Sequence, residues 1–353
     1  MDKKILQIFH NYKIDSVLFT SQKDIFYLTG ATFDGFWFLC TKSNYYAICS
    51  KMIATQVKNF FSKSKIKVYP YTPFYKAVAD ILKQNSINNT IIDPNYINAS
   101  DFILLDTILT KEQIKLEKKV GVLTSSRIVK NDTEVANIKK ACQIVSKVCN
   151  TIKTELKPGL SEIDIYYKIL ELFAKNQVTE SFPPIVACGQ HSANPHHKSS
   201  NTKIKENDIV LIDIGCSYNG YCSDLTRTYF LDKIRREESI IWNTVKAAQD
   251  AVLNNIKAGK KISWADKTAR EVIKRAGFEN NFIHTTGHGV GVEIHEMPSL
   301  TSKTEGVFLS NMVVTVEPGI YIENNFGVRI EDTILIKNNG CEILTFATYS
   351  SNI

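Results

Sequence analysis

Apolar and polar positions follow different periods in the two parts of the chain. Up to about residue 125, short apolar runs alternate with stretches whose apolar residues recur at helical spacing. Beyond that point the helical patterns become longer, and continuous apolar runs typical of buried strands separate them. The pattern predicts an α/β domain at residues 1–125 and a larger domain at residues 126–353, with helices outside and strands inside.

The first part contains eight predicted elements. The apolar runs 36–40 and 45–49 are joined by Thr41-Lys42-Ser43-Asn44, which indicates a hairpin. His10 lies on a predicted surface helix, and we expect a structural role for it. The predicted helices are residues 3–12, 51–61 and 74–84, and the predicted strands are 16–20, 36–40, 45–49 and 89–93, with a further short strand at 66–69.

The second part contains four predicted long helices. Asp132-Thr133-x-Val135 supplies a helix start, and Lys157-Pro158-Gly159 ends that helix. Ser161-Glu162-x-Asp164 begins the next one. The predicted helices cover residues 134–154, 161–176, 237–256 and 263–276.

Two aspartates lie on either side of a predicted turn. Asp213 follows the apolar run 209–212, and Asp224 lies beyond Ser217-Tyr218-Asn219-Gly220. A turn at 218–219 pairs position 213 with 224, whereas a turn at Asn219-Gly220, a strong hairpin signal, pairs 215 with 224. Either register puts both aspartates on one face, because strand side chains alternate with period two.

Two glutamates repeat this arrangement further along the chain. Glu317 follows the apolar run 313–316, and Glu331 follows 328–330. A three-residue loop at Glu323-Asn324-Asn325 would set position 317 opposite 331, on one face of the hairpin.

The stretch 284–298 supplies histidine nitrogens that could join the four carboxylates as ligands. It carries His284, His288 and His295, three of the seven histidines, and glycines flank His288 so that backbone and ligand can approach closely. Carboxylates buried without partners are costly, so four of them at matched spacing favour a metal site over isolated salt bridges. One imidazole and four carboxylates form a ligand set for two divalent cations. The predicted ligands are Asp213, Asp224, His288, Glu317 and Glu331.

Composition and charge disfavour binding to nucleic acid, insertion into a membrane and a cysteine-rich metal site. The chain has a net charge of +7, but residues 1–125 hold 16 Lys and Arg against 10 Asp and Glu as scattered lysines, which does not favour nucleic-acid binding. No apolar run is long enough for a membrane span, and the charged N-terminus does not resemble a secretory signal. The eight cysteines form no CxxC pair. We expect free thiols and a cytoplasmic protein without nucleic-acid or membrane partners.

The motifs resemble those of the pita-bread metallopeptidases, the family of methionine aminopeptidase, aminopeptidase P and prolidase. The resemblance implies an α+β protein: a pita-bread catalytic domain, with a curved antiparallel sheet and outer helices, preceded by a smaller α/β domain of creatinase type. Residues 24–30 are similar to a segment of that smaller domain. The matching motifs are Asp213-Ile214-Gly215, Ser223-Asp224-Leu225-Thr226-Arg227-Thr228, the stretch 284–298, Val316-Glu317-Pro318-Gly319 and Val328-Arg329-Ile330-Glu331-Asp332.

The resemblance also implies roles for individual residues. Asp213 would bind one metal and His288 and Glu317 the other, with Asp224 and Glu331 bridging. The oxygen-rich set favours Mn²⁺, with Co²⁺, Zn²⁺ or Fe²⁺ as alternatives. Catalytic roles fall to His196, His295 and Glu317, and substrate binding to His196, His295 and Arg329.

Four points stay open within this resemblance. His197 occupies a position where the family more often has glycine, so either His196 or His197 could contact substrate. His191 and His284 could be structural or could support the site. Arg329 could hold acidic ligands or meet a substrate carboxylate.

The implied activity is hydrolysis of the bond before proline at the N-terminus of short peptides, as in aminopeptidase P. A dipeptidase of prolidase type is the alternative, and a non-catalytic binding protein is a remote one. Prolidases often carry arginine just after His-Glu-x-Pro, whereas this chain has Ser299 there, and the next cation is Lys303. The resemblance further implies a homodimer, in which Phe33, Phe36 and Trp37 could lie near the partner's active site or pack in the core.

Overall fold

The structure, a computed structural model, describes residues 1–349. The chain separates into two compact units, Met1–Ser126 and Arg127–Ile353. None of the helices in residues 1–349 is both long and apolar enough to cross a lipid bilayer.

The N-terminal unit contains a mixed six-stranded sheet with the strand order β4-β3-β2-β1-β5-β6. Strands β1 to β3 pair antiparallel, and the pairs β3–β4, β1–β5 and β5–β6 are parallel. The elements are α1 (Asp2–Tyr12), β1 (Ser16–Phe19), α2 (Gln22–Thr29), β2 (Phe36–Thr41), β3 (Tyr45–Cys49), α3 (Ala54–Phe61), β4 (Ile66–Pro70), α4 (Phe74–Gln84), β5 (Asn89–Ile92), α5 (Ala99–Lys111), β6 (Lys115–Lys118) and α6 (Thr124–Ile128), the last of which reaches into the second unit.

This order confirms the predicted hairpin of β2 and β3 and every predicted helix and strand of the first part, with ends shifted by a few residues. Helices α2, α5 and α6 and strand β6 were not predicted. Lys-rich β6 has no apolar alternation, and the amphipathic pattern of α5 is weak because Ile103 and Leu104 on it are exposed. Their structure depends on neighbours that are distant in sequence.

The C-terminal unit is built from antiparallel strands and four long helices. Three-stranded sheets have the orders β11-β10-β7 and β12-β9-β8, a five-stranded sheet has the order β14-β13-β15-β18-β19, and β16 pairs with β17. The elements are α7 (Asp132–Glu155), α8 (Glu162–Lys175), β7 (Thr179–Glu180), β8 (Ile185–Cys188), β9 (Ile209–Ile214), β10 (Cys216–Tyr218), β11 (Tyr221–Cys222), β12 (Leu225–Phe230), α9 (Arg236–Leu253), α10 (Ile262–Arg275), β13 (His288–Gly289), β14 (Glu296–Ser299), β15 (Val313–Val316), β16 (Gly319–Ile322), β17 (Phe326–Arg329), β18 (Asp332–Lys337) and β19 (Gly340–Ile343).

All four predicted long helices are confirmed, and side chains close two of their N-termini. Asn131 and Glu134 form a reciprocal capping box at α7, and Ser161 and Asp164 form one at α8. Helices α7 and α8 share an apolar core with β8, β9 and β12, while α9 and α10 pack on a second core that includes β15 and β18. The strands that carry the candidate ligands are therefore supported on one side by rigid helices.

Candidate active site

The first pair of acids lies on the hairpin predicted from Asn219-Gly220. Tyr218 pairs with Tyr221, and the same register continues to the pair Asp213–Thr226. Both turn residues have positive φ, 49° at Asn219 and 79° at Gly220, as a two-residue hairpin turn with matching twist requires. This is the second of the two predicted registers, and it leaves Asp213 and Asp224 on the same face.

The second pair of acids also follows its predicted register. Val316 pairs with Asp332, and Gly319 pairs with Arg329, so Glu317 and Glu331 stand opposite each other between these two pairs. The loop has the three predicted residues 323–325, with Asn324 at φ 59°. The ladder is interrupted between these pairs, where Pro318 cannot donate a backbone hydrogen bond.

His288 reaches the acids from the neighbouring strand. Its Nδ1 hydrogen-bonds to the Gly289 carbonyl at 3.0 Å, so Nε2 carries the lone pair. Nε2 lies 3.5 Å from Asp224 Oδ2 and 3.4 Å from Glu317 Oε1. A Cβ at Gly289 would lie 2.4 Å from the Met297 carbonyl oxygen. Glycine is therefore required here for close packing of backbone against backbone, rather than for ligand approach as the sequence suggested.

Asp213, Asp224 and Glu331 are buried, and Glu317 is partly buried. Asp213 Oδ1 and Glu331 Oε1 have no hydrogen-bond partner among the described residues. Burial, with the charge of Glu331 next in importance, raises the pKa of Asp224 well above its usual range. Burial likewise raises the pKa of Glu331, and it raises that of Glu317 to about 7 although Arg329 opposes the rise. Acids this close repel one another unless protons or cations lie between them.

The donor set fits divalent metal ions. Ligand atoms of Asp224, His288 and Glu331 all lie within 4.8 Å of one another. Atoms bound to one ion lie roughly 3 to 3.5 Å apart, since metal–ligand bonds are about 2.1 Å long. Thr226 Oγ1 donates to Glu331 Oε2 at 2.6 Å, and Thr315 Oγ1 donates to Glu317 Oε1 at 3.2 Å. Such donors hold the carboxylates in a fixed orientation.

Arg329 is fully engaged by this cluster. Its Nη2 donates to Asp213 Oδ2 at 2.6 Å, its Nε to Thr226 Oγ1 at 3.1 Å, and its Nη1 to Tyr321 Oη at 2.8 Å. The side chain is 4% exposed. Of the two roles left open by the sequence, the geometry favours holding an acidic ligand over meeting a substrate carboxylate.

Tyr321, which no sequence motif indicated, connects Arg329 to His284. Its Oη lies 2.9 Å from His284 Nε2, and His284 Nδ1 lies 2.8 Å from the Thr285 carbonyl. Burial, followed by the charge of Arg329, lowers the pKa of His284 to about 3. His284 is therefore a neutral, internally bonded histidine that supports Arg329 through Tyr321.

His295 and His196 differ from His284 in being exposed. The rings of His295 and His288 meet edge to face at 4.4 Å, which puts His295 beside a candidate metal ligand. The charge of His196 contributes to lowering the pKa values of both His284 and His295, although burial is the largest cause for each. Among residues 1–349, His196 makes no side-chain hydrogen bond, so its ring is available to a substrate.

His197 and His191 bond to another residue that sequence analysis missed. His197 Nε2 and His191 Nδ1 each lie 2.8 Å from an oxygen of Glu162, whose side chain is completely buried. The two rings stack with centroids 4.3 Å apart. This assigns structural contacts to both histidines and leaves His196 as the candidate for substrate contact.

Two family profiles match this chain. The profile described as metallopeptidase family M24 matches residues 136–338, and the one described as creatinase/prolidase N-terminal domain matches residues 3–129. The chain belongs to metallopeptidase family M24. It has the α+β organisation that the motifs implied, in which a creatinase-type N-terminal domain precedes a pita-bread catalytic domain along the chain.

Relatives of both specificities cover nearly the whole chain. A Xaa-Pro dipeptidase of Pyrococcus horikoshii is 33% identical over 97% of this chain and 96% of its own length. The structure of a Xaa-Pro dipeptidase from Bacillus anthracis matches with a TM-score of 0.94 and 30% identity, covering 99% of this chain and 98% of that one. The structure of an X-Pro aminopeptidase from Thermotoga maritima matches with a TM-score of 0.87 and 27% identity, covering 97% and 98%.

Acid should weaken the contribution of Glu162 to stability. Burial by itself would raise the pKa of this carboxyl, but hydrogen bonds from Cys188, His197, Ser200 and His191 outweigh it and lower the pKa to about 2, from 4.5. A lowered pKa gives stability that is present above pH 4.5 and is lost as the pH falls towards 2, up to about 3 kcal/mol. Glu162→Gln should therefore unfold in less denaturant than wild type at neutral pH, with a difference that shrinks by about half near pH 3. A difference that does not change with pH would contradict this.

Proposed function

We propose that the chain is a dinuclear-metal peptidase that hydrolyses the bond before proline at the N-terminus of short peptides. The observation that carries this proposal is the convergence of one imidazole and four carboxylates, three buried and one partly buried, with Asp213 Oδ1 and Glu331 Oε1 left without partners among residues 1–349. Family membership supports metal-dependent hydrolysis, and the names of the relatives support specificity for proline.

We assign Asp213 to one metal ion, His288 and Glu317 to the other, and Asp224 and Glu331 to both. Mn²⁺ is the first candidate, with Co²⁺, Zn²⁺ or Fe²⁺ as alternatives, because oxygen ligands predominate. When bound, two such cations lower the pKa of a shared water and polarise the peptide carbonyl. The protein's part is to hold the ligands in place through Thr226, Thr315 and Arg329.

We assign the remaining catalytic roles to His196, His295 and Glu317. His295 lies beside His288 and can donate a hydrogen bond to the developing oxyanion. His196 presents an exposed ring and can bind the peptide. Since Arg329 is held by Asp213, Thr226 and Tyr321, its contribution to substrate binding is to keep Pro195, whose carbonyl lies 3.5 Å from Nη1, beside the site.

Metal removal tests the proposal. Purified protein treated with a chelator should lose activity on Xaa-Pro peptides, and Mn²⁺ or Co²⁺ should restore it. Peptides of the same length with alanine in place of proline serve as the specificity control. Full activity after verified metal removal would exclude the metal mechanism, and equal cleavage of the alanine peptides would exclude the proline preference.

Substrate length separates the two candidate specificities. A dipeptidase must neutralise the carboxylate next to proline, and arginine is the best partner for it. Here the position after Pro298 is Ser299, Lys303 is exposed, and Arg329 already binds Asp213. We therefore expect Xaa-Pro-Xaa tripeptides to be cleaved at least as well as Xaa-Pro dipeptides. A kcat/KM more than about tenfold higher for the dipeptide, equivalent to ~1.4 kcal/mol, would instead favour prolidase.

We further propose a homodimer, with Phe33, Phe36 and Trp37 as the segment to examine. Phe36 is 1% exposed within its own unit, so it is a core residue there. Phe33 is only partly buried and meets the exposed ring of Phe60 edge to face at 5.3 Å. Light scattering that detects only monomer at micromolar concentration would contradict the dimer.

A further inference from the structure

One buried carboxylate accepts hydrogen bonds from four residues of the segment 188–200. Glu162 lies in the first turn of α8, and its side chain is 0% exposed. One oxygen accepts from a backbone amide and an imidazole. The other accepts from an imidazole, a backbone amide and a hydroxyl. Oε1 accepts from Cys188 N at 2.9 Å and His191 Nδ1 at 2.8 Å, and Oε2 accepts from His197 Nε2 at 2.8 Å, Ser200 N at 2.9 Å and Ser200 Oγ at 2.7 Å.

The same segment carries His196, which is adjacent to one of these donors. Among residues 1–349, the His196 ring makes no hydrogen bond to Glu162, and its charge contributes to lowering the pKa values of His284 and His295. Ser192 Oγ accepts a hydrogen bond from Gly327 N at 2.9 Å, and the Pro195 carbonyl faces Arg329. The segment is thus held by Glu162 on one side and by the strand with Arg329 on the other.

We propose that Glu162 is a positioning residue that fixes the segment 188–200 and thereby presents His196 to the peptide substrate. The proposal rests on the proposed function, in which His196 contacts substrate. An irregular segment that carries a binding residue loses conformational entropy when it binds, unless the fold has already ordered it. Five bonds to one carboxylate supply that order, and charge-assisted bonds are the stronger kind.

A third metal site at the same place is the competing interpretation. Ligand atoms of Glu162, His191 and His197 lie within 4.8 Å of one another. An ionised carboxylate offers about four lone-pair sites, however, and the five hydrogen bonds to Glu162 already engage both of its oxygens fully. Cys188 N and Ser200 N are backbone donors that a cation could not replace, so the arrangement is that of a hydrogen-bonded carboxylate.

A double-mutant cycle tests whether Glu162 acts through His196. Glu162→Gln alone should raise KM for a Xaa-Pro-Xaa peptide about tenfold or more with a smaller change in kcat, as should His196→Ala alone. If Glu162 works by presenting His196, the double variant should be no more than about threefold worse than His196→Ala. Multiplied effects of the two changes on kcat/KM, as for independent sites, would overturn the proposal.

A milder variant guards against loss of folding. His197→Phe keeps a ring in the stack and removes one bond to Glu162. It should raise KM by a smaller factor and should show the same lack of additivity with His196→Ala. A KM unchanged from wild type in a well-folded His197→Phe protein, together with additive effects of Glu162→Gln, would leave Glu162 a purely structural residue.

Hydrogen exchange separates this proposal from the proposed function. In Glu162→Gln, backbone amides of residues 189–200 should exchange at least about tenfold faster, while residues 284–298 keep the wild-type rate. That result in a protein that does not cleave Xaa-Pro peptides would contradict the proposed function and leave the anchoring by Glu162 intact. Unchanged exchange in residues 189–200 would overturn the anchoring by Glu162. Binding of a third equivalent of Zn²⁺ per chain that is lost in Glu162→Gln would also overturn it.

Discussion

Replacing Asp224 with asparagine should reduce kcat on Xaa-Pro peptides at least about a thousandfold, or ~4 kcal/mol in the activation free energy. Asp224 is almost fully buried, and its Oδ2 lies 3.5 Å from His288 Nε2. An amide has the same shape but lacks the negative charge, and its nitrogen cannot act as a metal ligand. The variant should also bind less metal than wild type when both are dialysed against the same Mn²⁺ concentration.

Asp232→Asn provides the matched control for this prediction. Asp232 is exposed and has φ 59°, a conformation that asparagine also adopts readily. Its kinetics and metal content should equal those of wild type. Near-normal turnover by a folded Asp224→Asn protein would mean that the reaction takes place elsewhere on the chain.

Arg227→Met should lower the free energy of unfolding by about 3–5 kcal/mol, because it leaves the buried carboxylate of Asp332 without its ion-pair partner. Arg227 is 2% exposed and donates to Asp332 Oδ1 at 2.8 Å and to the backbone carbonyl of the candidate ligand Glu331 at 2.6 Å. Two further bonds reach the Ala347 carbonyl. For a unit of this size the loss corresponds to a fall in Tm of roughly 10 °C, measured by calorimetry on metal-free protein.

The matched control is Arg275→Met, which also breaks an arginine–carboxylate pair. Arg275 binds Glu271 at 2.9 Å, but its side chain is 77% exposed, so the loss should stay below about 1 kcal/mol. Equal shifts in Tm for the two variants would show that burial of the Arg227–Asp332 pair does not stabilise the fold as argued.

The shared face of each pair of acids could be predicted from the sequence because it depends on local rules, although two registers stayed open for the first hairpin. Asn219-Gly220 specifies its own turn, and side-chain parity then determines the face on which Asp213 and Asp224 lie. The same reasoning set Glu317 opposite Glu331, since the loop length and the spacing agree in only one register. The long helices followed equally from periodicity and caps.

The supporting contacts could not be predicted in this way. His197 meets Glu162 35 positions away, and Arg329 meets Asp213 116 positions away, so no local pattern relates them. Tyr321 carries no motif of its own on β16, and only its position opposite Gly327 brings its hydroxyl to Arg329 and His284. Tertiary contacts of this kind are visible only once the strands are assembled.

Anomalous diffraction from crystals loaded with Mn²⁺ tests the central claim most directly. We predict two peaks per chain, both in contact with Asp224 and Glu331, with Asp213 at one and His288 and Glu317 at the other. Glu331→Gln crystals, treated identically, should lose at least one of the two peaks. A single peak in wild type, or two peaks away from these five side chains, would contradict a dinuclear site built from them.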